Sequence, residues 1–220
     1  HFSDFFASYK RGITGNTDKM GVWISGFFGS GKSHFLKILS YLLENKEVGG
    51  KKAIDYFVDD NKISDQMVLA DMKLAGTIPT DVVLFNIDSK SEVNGKQSKV
   101  AIVSVLQNVF NEMQGFSGSN PFLADLERKL TEEGKYNLFK EKFEDSFGSA
   151  WEESRSDFDF IQDDVVEVLD EIGFMSIEAG RNWCEKATGE YTYKVEDFAK
   201  LVKKYLDKKE SNHHIVFLID

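Results

Sequence analysis

Gly26-Phe27-Phe28-Gly29-Ser30-Gly31-Lys32-Ser33 is the stretch on which the reading of this chain turns. It fits the pattern G-x-x-x-x-G-K-[ST]. It also lies between a short β-branched and aromatic run, Met20-Gly21-Val22-Trp23-Ile24-Ser25, and a helical pattern from Lys32 to Leu43. Strand, glycine-rich loop and helix in that order suit a phosphate cradle. Backbone N–H groups must converge on phosphate oxygens, so the loop needs residues that accept positive φ and carry no blocking side chain, a freedom that Gly26, Gly29 and Gly31 supply. The helix starting near Lys32 turns its positive end toward the same point. The Lys32 ammonium is expected to reach the β- and γ-oxygens as the catalytic cation, and the Ser33 hydroxyl to ligate Mg²⁺. The expected nucleotide set is Gly26, Phe27, Phe28, Gly29, Ser30, Gly31, Lys32, Ser33 and His34, with ATP ahead of GTP. A glycine turn that only joined a strand to a helix would not require lysine followed by serine.

A second acid is needed at the end of a neighbouring strand to help hold the Mg²⁺. Two candidates compete. Val82 to Asp88 is apolar but broken by Asn86, whereas Ile215-Val216-Phe217-Leu218-Ile219-Asp220 runs unbroken into its acid, so Asp220 is preferred. Asp88 has an alternative use as a strand-end cap of the next turn. Adjacent residues on a strand face opposite ways, so His213 and His214 are poorly placed to clamp one metal together. Trp23, Phe27 and Phe28 suit either contact with a base or packing.

Working outward, Phe2, Phe5, Phe6 and Tyr9 recur at helical spacing and predict an amphipathic helix closed by Gly12 and Gly15. A second helical stretch covers Ser64 to Ala75, a strand Asp81 to Asp88, and a long helix Lys96 to Met113. Between Pro121 and Lys209 only helical patterns occur: Phe122 to Leu130, Leu138 to Phe147, Val165 to Ile172, Ile177 to Ala187 and Val195 to Leu206. Strands alternating with helices imply an α/β fold with a parallel sheet. The expected organisation is a P-loop core over 1–119 and 210–220 and a helical insertion lobe over 120–209.

At 220 residues the chain suffices for one sizeable core with a lobe attached. It has no apolar run long enough to span a bilayer and no signal-peptide order at its start, which predicts a cytoplasmic protein without a membrane. The net charge of -10 argues against a surface that grips nucleic acid throughout. The acidic stretch from Glu141 to Asp170 reads as solvated helix faces. Cys184, beside Trp183, reads as a buried structural thiol. The absence of an initial methionine and the stop at Asp220, on an apolar run, lead us to expect a fragment of a longer protein.

The run Gly21 to Lys37, the stretch Val82 to Lys90 (VVLFNIDSK) and Phe110 to Phe116 (FNEMQGF) resemble the large P-loop ATPases of bacterial BREX phage-defence systems, the BrxC and PglY family. The resemblance implies an ATPase module in the additional-strand, AAA+-related class, truncated after its Walker B strand. It implies ATP at Gly26 to Ser33 and Mg²⁺ helped by Asp220, with the water-activating glutamate expected directly after that aspartate. Other BREX-system proteins as partners, DNA contact through the full-length protein and a homo-oligomer follow from the same resemblance. Two further readings stand beside an anti-phage ATPase: a nucleotide-dependent interaction module without turnover, and a P-loop phosphotransferase with an acceptor pocket and an arginine-rich lid.

Overall fold

The computed structural model describes residues 2–15, 17, 21–60, 62–87 and 99–220. They form two compact units, one from residues 1–95 with 199–220 and one from 96–198. The divisions expected after residues 119 and 209 each fall inside one of these units.

The first unit contains α1 (Phe2–Thr14), α2 (Lys32–Glu44), a hairpin of β1 (Glu47–Val48) and β2 (Lys51–Lys52), α3 (Ala53–Asp59), α4 (Gln66–Ala75), β3 (Thr80–Phe85) and β4 (His214–Ile219). Helical spacing puts Phe6 of α1, Leu39, Leu42 and Leu43 of α2 and Met72 of α4 together in one buried cluster. Burying each such side chain stabilises the fold by about 1.5–3 kcal/mol. Lys10 of α1 pairs with Asp71 of α4 at 2.7 Å. The α4 N-terminus is capped by Asp65, which accepts from the Met67 and Val68 amides. Asn45 ends α2 in the left-handed region at φ 44°. Its amide then accepts from the Ile54 N–H and donates to the Gly76 carbonyl, tying the helix end to two later segments.

β3 and β4 pair in parallel, in register from Thr80 opposite His214 to Phe85 opposite Ile219. The ladder runs one step further, with the Asp220 amide donating to Phe85 O at 3.0 Å and the Ile87 amide to Asp220 O at 3.1 Å. Asp220 is thereby held at the C-terminal end of the strand pair. At the other end, the Asp81 carboxylate accepts from the Tyr205 hydroxyl at 2.6 Å and from His213 Nε2 at 2.8 Å. His214 Nδ1 lies 3.1 Å from the Tyr9 hydroxyl, which lies 3.3 Å from Thr80 Oγ1. Thr80 gives its own hydrogen to Ile78 O, so Tyr9 donates to Thr80 and accepts from a neutral His214 carrying its proton on Nδ1.

These contacts carry a pH signature. Burial, then the neighbouring His213, holds His214 below its ordinary 6.5, so below that pH the unfolded chain binds a proton that the native chain resists. This contribution is fully present above pH 6.5 and is lost as pH falls below it. Burial pushes the Asp81 carboxyl up, but hydrogen bonds from Tyr205 and His213 and the charges of His213 and Lys209 together hold it below 3.8. Its contribution is present above that value and is lost at more acid pH. Urea midpoints of wild type and His214→Gln should therefore converge between pH 7 and about pH 5; a wild-type advantage that grows on acidification would contradict this assignment.

The structure corrects the sequence reading in four places. The run 20–25 was expected as a buried strand. Residues 21–27 instead form no ladder: β3 and β4 pair with each other, Ile24 alone of this run packs on the core, and Trp23 is 92% exposed. The parallel sheet thus comprises β3 and β4 alone among the described residues. α1 continues through Gly12 to Thr14, because packing of its aromatic face outweighs the roughly 1 kcal/mol penalty of one helical glycine. β3 stops at Phe85, before Asn86. The hairpin and α3 follow α2 where the sequence suggested only a stop, since Gly49 and Gly50 adopt φ 62° and 77°, the paired left-handed values of a tight hairpin turn. Asp88 and the start of the helix expected from Lys96 lie outside the described residues.

The second unit is helical: α5 (Lys99–Met113), α6 (Pro121–Glu132), α7 (Tyr136–Phe147), α8 (Trp151–Ser154), a 3-10 turn (Arg155–Phe160), α9 (Gln162–Glu171), α10 (Ile177–Ala187) and the start of α11 (Val195–Leu206). α6 begins with Asn120 accepting from the Phe122 and Leu123 amides and with Pro121 at its first position. Leu123, Leu130, Phe139, Phe143, Trp151, Val165 and Leu169 are fully buried. Within this apolar cluster lies Glu127, 0% exposed. Its carboxylate accepts from Trp151 Nε1 at 2.7 Å, Arg155 at 2.8 Å, the Tyr136 hydroxyl at 3.0 Å and the Ser117 amide at 2.5 Å. Burial, then the Glu127 charge, holds the Tyr136 phenol far above its ordinary range, keeping it a donor. Among the described residues no helix is long and apolar enough to cross a membrane.

Candidate functional site

The glycine-rich loop enters α2 through Gly31, whose φ of 85° lies in the left-handed region, as does Gly29 at 75°. A β-carbon at either residue would be strained by about 1–2 kcal/mol. The loop turns through a Ser30 N–H bond to Phe27 O at 3.1 Å, and the helix starts with Phe35 N–H on Gly31 O at 2.9 Å. A β-carbon on Gly26 would come within 2.6 Å of Ser30 Oγ, so a larger residue there would make that hydroxyl turn away. Gly31 offers no side-chain cap and the first turn of α2 carries no acid. Its amides and positive helix end are therefore open to solvent or to a ligand, and the ligand of fitting charge is an anion.

Lys32 folds back over the loop, its Nζ donating to Gly26 O at 3.0 Å and Phe27 O at 2.9 Å. Ser33 Oγ donates to Asp220 Oδ1 at 2.9 Å, joining residues 187 apart in sequence. The loop serine and the strand-end acid that were expected to share one cation are thus in direct contact. His34 is exposed on the first turn of α2, and Phe27 and Phe28 are exposed at the loop tip, Phe28 fully at 105%. A hydroxyl beside a carboxylate, uncapped amides at a helix start and a lysine at the loop are the donor and acceptor types that a Mg²⁺-nucleoside triphosphate requires.

Other groups weighed from sequence fall elsewhere. His213 and His214 turn to different partners, Asp81 and Tyr9. Cys184 is buried in the helical unit, at a groove of about 200 Å³ lined by Gln162, Asp163, Val166, Arg181 and Glu185. Burial, then the Asp163 charge, pushes its thiol up to about 11, which leaves it protonated at neutral pH and a poor nucleophile. The sequence placed Tyr9 on a helix and Asp81 at a strand start but gave neither of them, nor Tyr205, a polar partner. A usable signal was present, because polar His213-His214 leads an otherwise unbroken apolar strand.

Loop, helix and strand-end acid together define a P-loop NTPase domain. The KAP family P-loop domain matches residues 7–220, and the chain belongs to that family of P-loop NTPases. Membership implies a bound nucleotide, usually with Mg²⁺. No solved structure matches the chain.

Proposed function

We propose that the chain binds Mg·ATP at Gly26 to Ser33 and serves as the ATP-hydrolysing module of a BREX-type anti-phage protein. The observation that carries the nucleotide part is the 2.9 Å contact between Ser33 Oγ and Asp220 Oδ1. The residue resemblance at Gly21 to Lys37, Val82 to Lys90 and Phe110 to Phe116 supports the defence part. In this reading the loop amides from Gly26 to Ser33 orient the phosphates and Lys32 exchanges its two loop carbonyls for phosphate oxygens. Ser33 and Asp220 would hold the cation, directly or through water. Mg²⁺, when bound, withdraws charge from the β- and γ-phosphoryl oxygens. Partners among other BREX-system proteins, contact with DNA through the full-length protein, a homo-oligomeric state and a cytoplasmic location belong to the same proposal.

Calorimetry of wild type with Mg·ATP and Mg·GTP, run beside a phosphate-release assay, tests the reading. ATP binding by the chain tighter than GTP, with phosphate released by the full-length protein, is the expected result. Binding without release would favour an interaction module, transfer to an acceptor other than water would favour a phosphotransferase, and no binding would sink all three.

A further inference from the structure

β4 presents a register problem that its sequence does not solve by hydrophobicity. A buried face usually fixes register, because a slip of one residue turns every side chain to the opposite side. From Ile215 to Ile219 every residue is apolar, so a slipped strand offers apolar groups to both faces just as well. No tight turn sets the pairing either, since β3 and β4 are parallel and the whole helical unit intervenes between them in sequence. Something else must place Asp220 opposite the end of β3.

We propose that His213 and His214 form a register clamp for β4 and act as positioning residues for Asp220. The inference rests on the nucleotide-site reading above, because Asp220 matters there as the partner of Ser33. His213 Nε2 meets Asp81 Oδ2 at 2.8 Å, on an acid also held by Tyr205 at 2.6 Å and approached by Lys209 at 3.8 Å. His214 turns the other way, its Nδ1 meeting the Tyr9 hydroxyl at 3.1 Å, while its backbone N–H donates to Pro79 O at 2.8 Å. The two imidazoles therefore hold the entry to β4 through two different partners. A one-residue slip would shift both by about 3.3 Å and bring only one imidazole to a partner, its neighbour's, leaving the other imidazole without one. The same slip would carry the Asp220 carboxylate away from Ser33, because the strand between them is a single extended segment. The paired histidines, poorly arranged for a metal, thus acquire a role at the end of β4 opposite the one that carries the acid.

The test combines His213→Ala with His214→Ala in one chain, and uses His213→Gln, whose amide retains an N–H donor, as the rescue. The first readout is amide hydrogen exchange at Asp220 and Ile87, compared with Leu39 and Leu42 in the α2 core. The double variant should lose protection about tenfold or more at Asp220 and Ile87 while Leu39 and Leu42 stay within about twofold, and His213→Gln should stay close to wild type. Equal loss at all four amides would mean general destabilisation and would overturn the clamp, as would unchanged protection at Asp220 and Ile87. The second readout is ATP affinity in Mg²⁺ and in EDTA. The strengthening by Mg²⁺ should fall about tenfold in the double variant with the EDTA affinity unchanged; an unchanged Mg²⁺ effect would break the link to Asp220. Failure of wild type to bind nucleotide would sink the function reading alone, and the exchange experiment would still decide the clamp.

Discussion

Glu127→Ala should destabilise the helical unit by about 3–5 kcal/mol, the range found when one member of a buried ion pair is removed. The reason lies in what stays behind. Glu127 is 0% exposed and its carboxylate satisfies Trp151 Nε1, the Tyr136 hydroxyl, the Ser117 amide and Arg155. Truncation leaves Arg155 without its carboxylate partner, although the same guanidinium still reaches Gly115 O at 3.1 Å. Three neutral donors lose their acceptor as well, and for the two buried ones, Trp151 Nε1 and the Ser117 amide, the desolvation penalty is about 1–3 kcal/mol each if no replacement is found. For a unit of about 100 residues the change should lower the thermal midpoint by more than about 10 °C. Trp151 is fully buried and reports the loss through its near-ultraviolet circular dichroism. Glu127→Gln, which retains one carbonyl acceptor, should fall between the two. A Glu127→Ala midpoint within about 2 °C of wild type would show that the network is a consequence of packing and contributes little to it.

The same residue shows where the sequence was legible and where it was not. The helix over Pro121–Glu132 announced itself by Leu123, Leu126 and Leu130, but Glu127 sits four residues after Leu123 and three before Leu130, on the apolar face. A carboxylate there must be paired, yet its partners Trp151 and Arg155 lie more than twenty residues away, and periodicity reports only one helix at a time. The loop was readable because glycine, lysine and serine at fixed offsets answer one chemical demand, and Gly29 and Gly31 adopt the positive φ that this demand requires. Pairing was not readable. The run 20–25 has strand composition, but a strand exists only through its ladder, and the neighbour that β4 takes is β3. The main helices between Pro121 and Leu206 were legible from their period, whereas Trp151–Ser154 and the 3-10 turn after it are too short to show one.

Lys32→Ala should weaken Mg·ATP binding about ten- to hundredfold while leaving the fold intact. In the structure Nζ spends its hydrogens on Gly26 O and Phe27 O, both at an exposed loop where water can replace the ammonium. Losing those bonds should therefore change stability by less than about 1 kcal/mol. A triphosphate offers a different balance. The ammonium bonds to ionised oxygens, and such charge-assisted bonds contribute about 1.5–3 kcal/mol, which is the factor stated. Beyond affinity, removing a cation from the developing phosphoryl charge should lower turnover by on the order of a hundred- to a thousandfold. Lys32→Arg separates charge from shape: guanidinium keeps the charge but is too broad for the narrow turn between Gly26 and Lys32, so it should recover little turnover. Calorimetry, phosphate release and a urea midpoint on the same three proteins make the comparison. Wild-type affinity in Lys32→Ala with an unchanged midpoint would mean that the ammonium stays on Gly26 and Phe27 in the bound state, and that the loop amides and the start of α2 hold the phosphates by themselves.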